Sequence, residues 1–123
     1  MPSSLRVLVV EDTDHVRRML TEMLSLDGFD VSSVADGRAA VAAVRDDRPD
    51  VVVLDFKMPG MDGLACARAI RDVEPAQQMI IYTAFVDPEL QAAAAAIGVA
   101  DVLGKVEGLG ALGREIRRLC APL

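Results

Sequence analysis

Five polar residues each stand just behind an aliphatic run: Glu11 and Asp12 after LRVLVV, Asp55 after VVVL, Thr83 after MIIY, and Lys105 after ADVLG. Adjacent carboxylates at a strand end repel each other, a cost that makes sense if a divalent cation neutralises them. The competing reading is that Asp12 or Asp14 caps the helix that follows, since Asp favours that position. Residue types alone leave both open. Asp55 follows four aliphatic residues, mostly β-branched, the pattern of a strand buried on both faces. Pro59, Gly60 and Gly63 then break the chain into a loop, so the carboxylate should project into a cleft floored by backbone. Thr83 brings a hydroxyl and Lys105 an ammonium group to strand ends of the same kind. In an open parallel sheet the carboxyl edge is where ligands bind, so all five should converge there.

The elements that would carry these residues can be read from hydrophobic period. Residues 5–10 form the first strand, interrupted only by Arg6. A first helix places Val16, Met19, Leu20, Met23 and Leu24 inward and Arg17, Arg18 and Glu22 outward, and stops at Asp27-Gly28. His15, the only histidine, is expected at the surface. Residues 29–34 alternate and predict a second strand, less buried and near a sheet edge. Asp36-Gly37 turns the chain into a short helix over 39–44, which ends before Pro49. The strand leading to Asp55 follows. A third helix over 64–73 points Leu64, Ala67 and Ile70 inward. Residues 79–82 predict the fourth strand, and Asp87-Pro88-Glu89 opens a fourth helix with a cap and a first-turn proline. Its alanine run, 92–96, has high helix propensity but little side chain to anchor it. Residues 100–103 predict a fifth strand. A last helix carries Leu109, Leu112, Ile116 and Leu119 inward and Arg114, Arg117 and Arg118 outward, with Gly108, Gly110 and Gly113 weakening its start. Strands alternating with helices predict an α/β fold with a parallel sheet, right-handed crossovers and helices on both faces.

The chain of 123 residues suits one domain, 1–123, with a single core. A hydrophobic share of 52% with 26% charged residues excludes disorder. No apolar run approaches the roughly 18 residues of a bilayer span, and the first residues lack the features of a signal peptide, so a cytoplasmic protein with no membrane partner is expected. A net charge of −6 argues against a direct nucleic-acid surface and suits a cation site. Cys66 and Cys120 lie far apart and are expected to be buried, reduced thiols.

The run LDFKMPGMDG, with the acidic pair, threonine and lysine in their order, resembles the receiver domains of two-component response regulators, and the resemblance spans essentially the whole chain. It implies a flavodoxin-like five-stranded sheet in the order 2-1-3-4-5. It further implies that Asp55 accepts a phosphoryl group from a histidine kinase or histidine phosphotransfer protein in a Mg2+-dependent reaction. Asp12 and Asp55 would be direct metal ligands, Glu11 a ligand through water, and the main-chain carbonyl of Lys57 a third protein ligand. Lys105 would set a point charge, and Thr83 a hydroxyl hydrogen bond, against the phosphoryl group. The phosphorylated domain would change its affinity for an unknown downstream partner, as a monomer or a phosphorylation-dependent dimer.

Two positions depart from the family pattern. Val102 stands where members usually carry a Tyr or Phe ring that swings inward, so a ring-flip readout cannot operate there. Val106 follows the lysine where proline is usual, often after a cis bond; that geometry costs about 2.5–4 kcal/mol before a non-proline residue, so a trans bond and a rearranged loop are expected. Lys57 and Phe85, two residues beyond Asp55 and Thr83, would flank the path of hydrolytic water and prolong the acyl phosphate. An atypical receiver acting as a phosphorylation-independent binding module is the main alternative. A phosphatase is disfavoured because Lys57 occupies the place of the second acid such enzymes use. Flavin binding is disfavoured by few aromatic residues and an acidic cleft. The chain could be a single-domain regulator or the receiver of a longer protein.

Overall fold

A computed structural model describes residues 4–58 and 60–121. Pro59 of the expected loop and the first three residues, read above for a signal peptide, lie outside them. Five parallel strands, β1 (Arg6–Val10), β2 (Asp30–Val34), β3 (Val51–Leu54), β4 (Gln78–Thr83) and β5 (Asp101–Gly104), form one sheet in the order 2-1-3-4-5. The helices between and after them are α1 (Asp14–Leu26), α2 (Gly37–Asp47), α3 (Gly63–Val73), α4 (Pro88–Ile97) and α5 (Gly108–Leu119). This is the flavodoxin-like arrangement that the family resemblance implies.

Strand alternation divides the core into two layers. Leu8, Val10, Leu54 and Ile81 pack with Ala40, Val44, Ile70 and Ala94 of α2, α3 and α4. Val7, Val9, Val53 and Ile80 pack with Leu20, Leu24, Leu112 and Ile116 of α1 and α5. Every residue of β3 is buried, as a central strand between helical layers requires, whereas β2 at the edge is half open.

Several sequence expectations change in detail. The inward stripe of α1 is narrower than its periodicity suggests: Leu20 and Leu24 are buried, but Met19 and Met23 are about half exposed, at 49% and 46%. Val16 is partly buried and packs against the same layer as Leu20 and Leu24. Arg17, expected on the solvent face, folds back and donates to the Glu11 carbonyl at 2.9 Å. The turn at Asp36 is a helix cap: its carboxylate accepts from Ala39 N at 2.8 Å, which extends α2 back to Gly37. The other end of α2 reaches Arg48, which closes it in the left-handed region at φ 48°. Strand β5 runs one residue later than expected and leads into a 3-10 turn, Lys105–Glu107. Cys66 is buried and Cys120 only partly so, because it follows the last turn of α5; both are free thiols.

The alanine-rich α4 buries only Leu90 and Ala94. Its ends are fixed by polar contacts instead. Asp87 accepts from Leu90 N at 2.8 Å, and Arg71 of α3 donates to the carbonyls of Ile97 at 3.1 Å and Gly98 at 2.8 Å. The same guanidinium donates to Pro75 and Gln77 carbonyls at 2.7 and 2.8 Å, tying the end of α3 to the end of α4.

Candidate functional site

Parallel pairing delivers the polar residues to one edge. Backbone bonds continue just past the strands, Asp55 N donating to Val10 O at 3.0 Å and Glu11 N to Val34 O at 3.1 Å, so both acids are held by sheet hydrogen bonds. Carboxylate oxygens of Glu11, Asp12 and Asp55 lie within 4.8 Å of one another. Lys105 Nζ is 3.6 Å from Asp55 Oδ1, with the two side chains 30% and 15% exposed. Thr83 is buried, and its hydroxyl oxygen accepts from Phe85 N at 3.5 Å. An open cavity of about 470 Å³ is lined by Glu11, Asp55, Lys57, Thr83, Phe85 and Lys105 among others.

The capping alternative for the acidic pair does not hold. Thr13 is the N-cap of α1 and makes no side-chain cap bond, while Asp14 bonds Arg17 at 2.6 Å, a pairing that holds its carboxyl below the usual range. Asp12 faces Glu11 and Asp55 instead.

Glu11 is 2% exposed, and its Oε2 has no hydrogen-bond partner. Burial, followed by the hydrogen bond and charge of Asp55, pushes its carboxyl up to about 8, with Lys105 pulling the other way. A buried, unpartnered carboxylate oxygen beside two further carboxylates is unfavourable for the protein alone. A hard divalent cation, which takes oxygen ligands, relieves it, so the residues present fit Mg2+.

The loop after β3 is shaped by a close approach that sequence reading treated only as a chain break. Gly63 N donates to Phe56 O at 2.7 Å, and a Cβ on Gly63 would stand 2.5 Å from the Asp55 carbonyl oxygen. Asp62 then caps α3 through Ala65 N at 2.8 Å. Arg17 was also missed as a site residue. Its hold on the Glu11 carbonyl, six residues back, follows from the β1–α1 turn, and its helical position carries no sign of it.

All five residues expected at the sheet edge therefore meet, and Lys57 and Phe85 stand at the cavity mouth, Phe85 being 73% exposed. Val102 is 8% exposed and fills the core where a ring would be larger. No cis peptide bond occurs among the described residues, and Val106 is 91% exposed beyond Lys105.

Comparison with known proteins adds an independent observation: the family model "Response regulator receiver domain" matches residues 7–117. The chain belongs to that family. Regulatory protein AtoC of Escherichia coli is 35% identical over 113 residues, covering 92% of this chain and 24% of its own length. Response regulator MprA of Mycolicibacterium vanbaalenii is 36% identical over 115 residues, covering 94% of this chain and 50% of its own. The chain thus spans between about a quarter and a half of these relatives. Among solved structures, the chemotaxis protein CheY4 of Vibrio cholerae superposes with a TM-score of 0.88 at 28% identity, over 95% of this chain and 99% of that one. Receiver domain membership accounts for the sheet order. No helix among the described residues is long and apolar enough to cross a membrane.

Proposed function

We propose that this receiver domain takes a phosphoryl group onto Asp55 from a phosphohistidine of a sensor histidine kinase or histidine phosphotransfer protein. The observation that carries the reading is the placing of Asp55 between opposite influences, with the Lys105 ammonium at 3.6 Å and two further carboxylates within 4.8 Å. An Asp55 oxygen attacks phosphorus in line, a P–O bond forms, the P–N bond to imidazole breaks, and the leaving nitrogen keeps its electron pair and takes a proton. The protein's part is positioning and charge stabilisation.

Mg2+, when bound, supplies positive charge to the phosphoryl oxygens and reduces their repulsion from the acidic edge. Asp12, Asp55 and the main-chain carbonyl of Lys57 would hold it directly, and Glu11 through water. Lys105 meets a phosphoryl oxygen as a point charge, and the Thr83 hydroxyl donates a hydrogen bond to another. The bulk of Phe85 and the charge of Lys57 at the cavity mouth shield the acyl phosphate from water. The domain thus catalyses only its own phosphorylation and dephosphorylation, in a cytoplasmic setting where such donors act. Its output goes to a downstream protein or attached segment, as monomer or phosphorylation-dependent dimer, by a route other than ring movement at Val102.

Intact mass after incubation with acetyl phosphate and Mg2+ tests this reading. One added phosphoryl group is expected, absent with chelator and absent in Asp55→Asn. Lack of addition to the native chain from acetyl phosphate and from a panel of phosphorylated kinases would overturn it in favour of a binding module.

A further inference from the structure

Tyr82 is the only tyrosine of the chain and the last residue before Thr83. Alternation along β4 sends its side chain to the layer beneath α1 and α5, and at 5% exposure it passes for an ordinary core residue. One contact sets it apart. Lys105 Nζ lies 6.0 Å from the centroid of its ring, the same nitrogen that is 3.6 Å from Asp55 Oδ1. A narrow crevice lined by Val9, Leu20, Val53, Asp55, Tyr82 and Lys105 joins the two contacts.

Lysine is a point charge on a flexible stem, so a site that needs its charge at one place must restrict where the ammonium goes. Gly104 pairs with Thr83, and the 3-10 turn that follows starts the lysine stem beside the end of β4. Apolar walls cannot hold an ammonium, but the negative face of an aromatic ring attracts one within about 6 Å of its centroid. Burial and the nearby Glu107 charge push the Tyr82 phenol up from its ordinary value, so the ring stays neutral.

We propose that Tyr82 is a positioning residue for Lys105: its ring holds the ammonium beside Asp55, where a phosphoryl group on that carboxylate requires it. The inference rests on the phosphoacceptor reading above. The groove of about 300 Å³ between α1 and α5, which Tyr82 and Lys105 also line with Met19 and Leu109, is otherwise apolar and offers the ammonium no second partner. Without the ring, the flexible stem lets the ammonium swing out of the cleft into solvent, since the Lys105 side chain is already 30% exposed.

The test is a double-mutant comparison of the acetyl phosphate reaction at saturating Mg2+. Tyr82→Leu slows phosphorylation about two- to fivefold when Lys105 is present, the range for a partly exposed cation–ring contact, and has no further effect in Lys105→Ala. Tyr82→Phe, which keeps the ring, recovers most of the rate. Should Tyr82→Leu not fold, Tyr82→Met carries the same comparison with less volume lost. A second readout uses the metal-free protein: the ε-methylene protons of Lys105 shift in the NMR spectrum when the ring is removed and stay near their native position with Phe. Equal slowing in both lysine backgrounds, unaltered rates, or an unmoved Lys105 resonance would each overturn the proposal. If the native chain accepts no phosphoryl group, the functional reading fails separately, and the Lys105 resonance still decides whether the ring holds the ammonium.

Discussion

Gly63→Ala sets a steric loss against a conformational gain, and the structure decides between them. The added methyl carbon would lie 2.5 Å from the Asp55 carbonyl oxygen and 2.9 Å from Phe56 Cα, where ordinary contact begins near 3.4 Å. Both obstacles are backbone, so neither can swing aside. Gly63 N is itself held to Phe56 O at 2.7 Å, which closes the loop against relief by drift. Forcing extra atoms into a packed site costs about 1–3 kcal/mol. Alanine returns about 0.4–1 kcal/mol by restricting the unfolded chain, and Gly63 does not have a positive φ, so no backbone strain is added. The steric term wins by about 1–2 kcal/mol, which lowers the thermal midpoint of a domain this size by about 4–8 °C. Thermal unfolding with chelator present measures it. The residue displaced is Asp55, so phosphorylation by acetyl phosphate should slow in the same variant. A Gly63→Ala protein that melts at or above the native temperature and is phosphorylated at the native rate would refute the close-approach argument.

Arg71→Ala removes the donor to four carbonyls at the ends of α3 and α4 and should lower stability by about 1–3 kcal/mol, measured by urea unfolding; a loss confined to a few tenths would mean that water replaces those bonds freely. Asp101 on β5 is raised to about 6 by burial and by Glu115, whose carboxyl is itself held low by Arg118. A carboxyl raised on folding binds protons in the folded state first, so this group lowers stability as pH climbs from about 4 to 6. Asp101→Asn should therefore stabilise at pH 8 by some tenths to about 1 kcal/mol after solvent screening and give no gain at pH 4, where an equal gain at both pH values would exclude the mechanism. Replacing Lys57 and Phe85 together by alanine should speed loss of the acyl phosphate several-fold, followed by intact mass; an unaltered half-life would remove them from the water path.

The alternation of strands and helices is legible because each strand is a short aliphatic run closed by a polar residue, and the helices between are marked by period and by Asp or Gly at their ends; the order of the strands in the sheet comes from the family resemblance. Boundaries moved where a side chain bonds nearby backbone, which hydrophobic period does not encode. The Asp36 carboxylate, read as a turn, captures Ala39 N and adds residues to α2. Five apolar positions on α1 are expected to face inward, yet burial depends on what lies opposite: Leu20 and Leu24 are buried and Val16 packs partly buried against the same layer, while Met19 and Met23 stay about half exposed. The alanine run of α4 is weakly anchored in the core, as expected, with only Leu90 and Ala94 buried, and its end is held by an arginine more than twenty residues earlier, which helix propensity does not encode.

Within the site, side chains with charge or a hydroxyl were legible, because an ionised group at the end of a buried strand needs a reason to be there. Residues that act through shape were not. Gly63 matters for the atom it lacks beside the Asp55 carbonyl, and nothing in its neighbours' types announces that approach. Tyr82 reads as core since it is core, and only the lysine folded over from β5 gives its ring a second task. Glu11 shows the converse. Its type pointed to a cation, and the structure supplies the physical reason: a carboxylate oxygen without a partner, buried beside two more acids at the carboxyl edge of the sheet. Such an arrangement is tolerable in the free protein because Glu11 can hold its proton near neutral pH, and it becomes favourable when a divalent charge takes that proton's place.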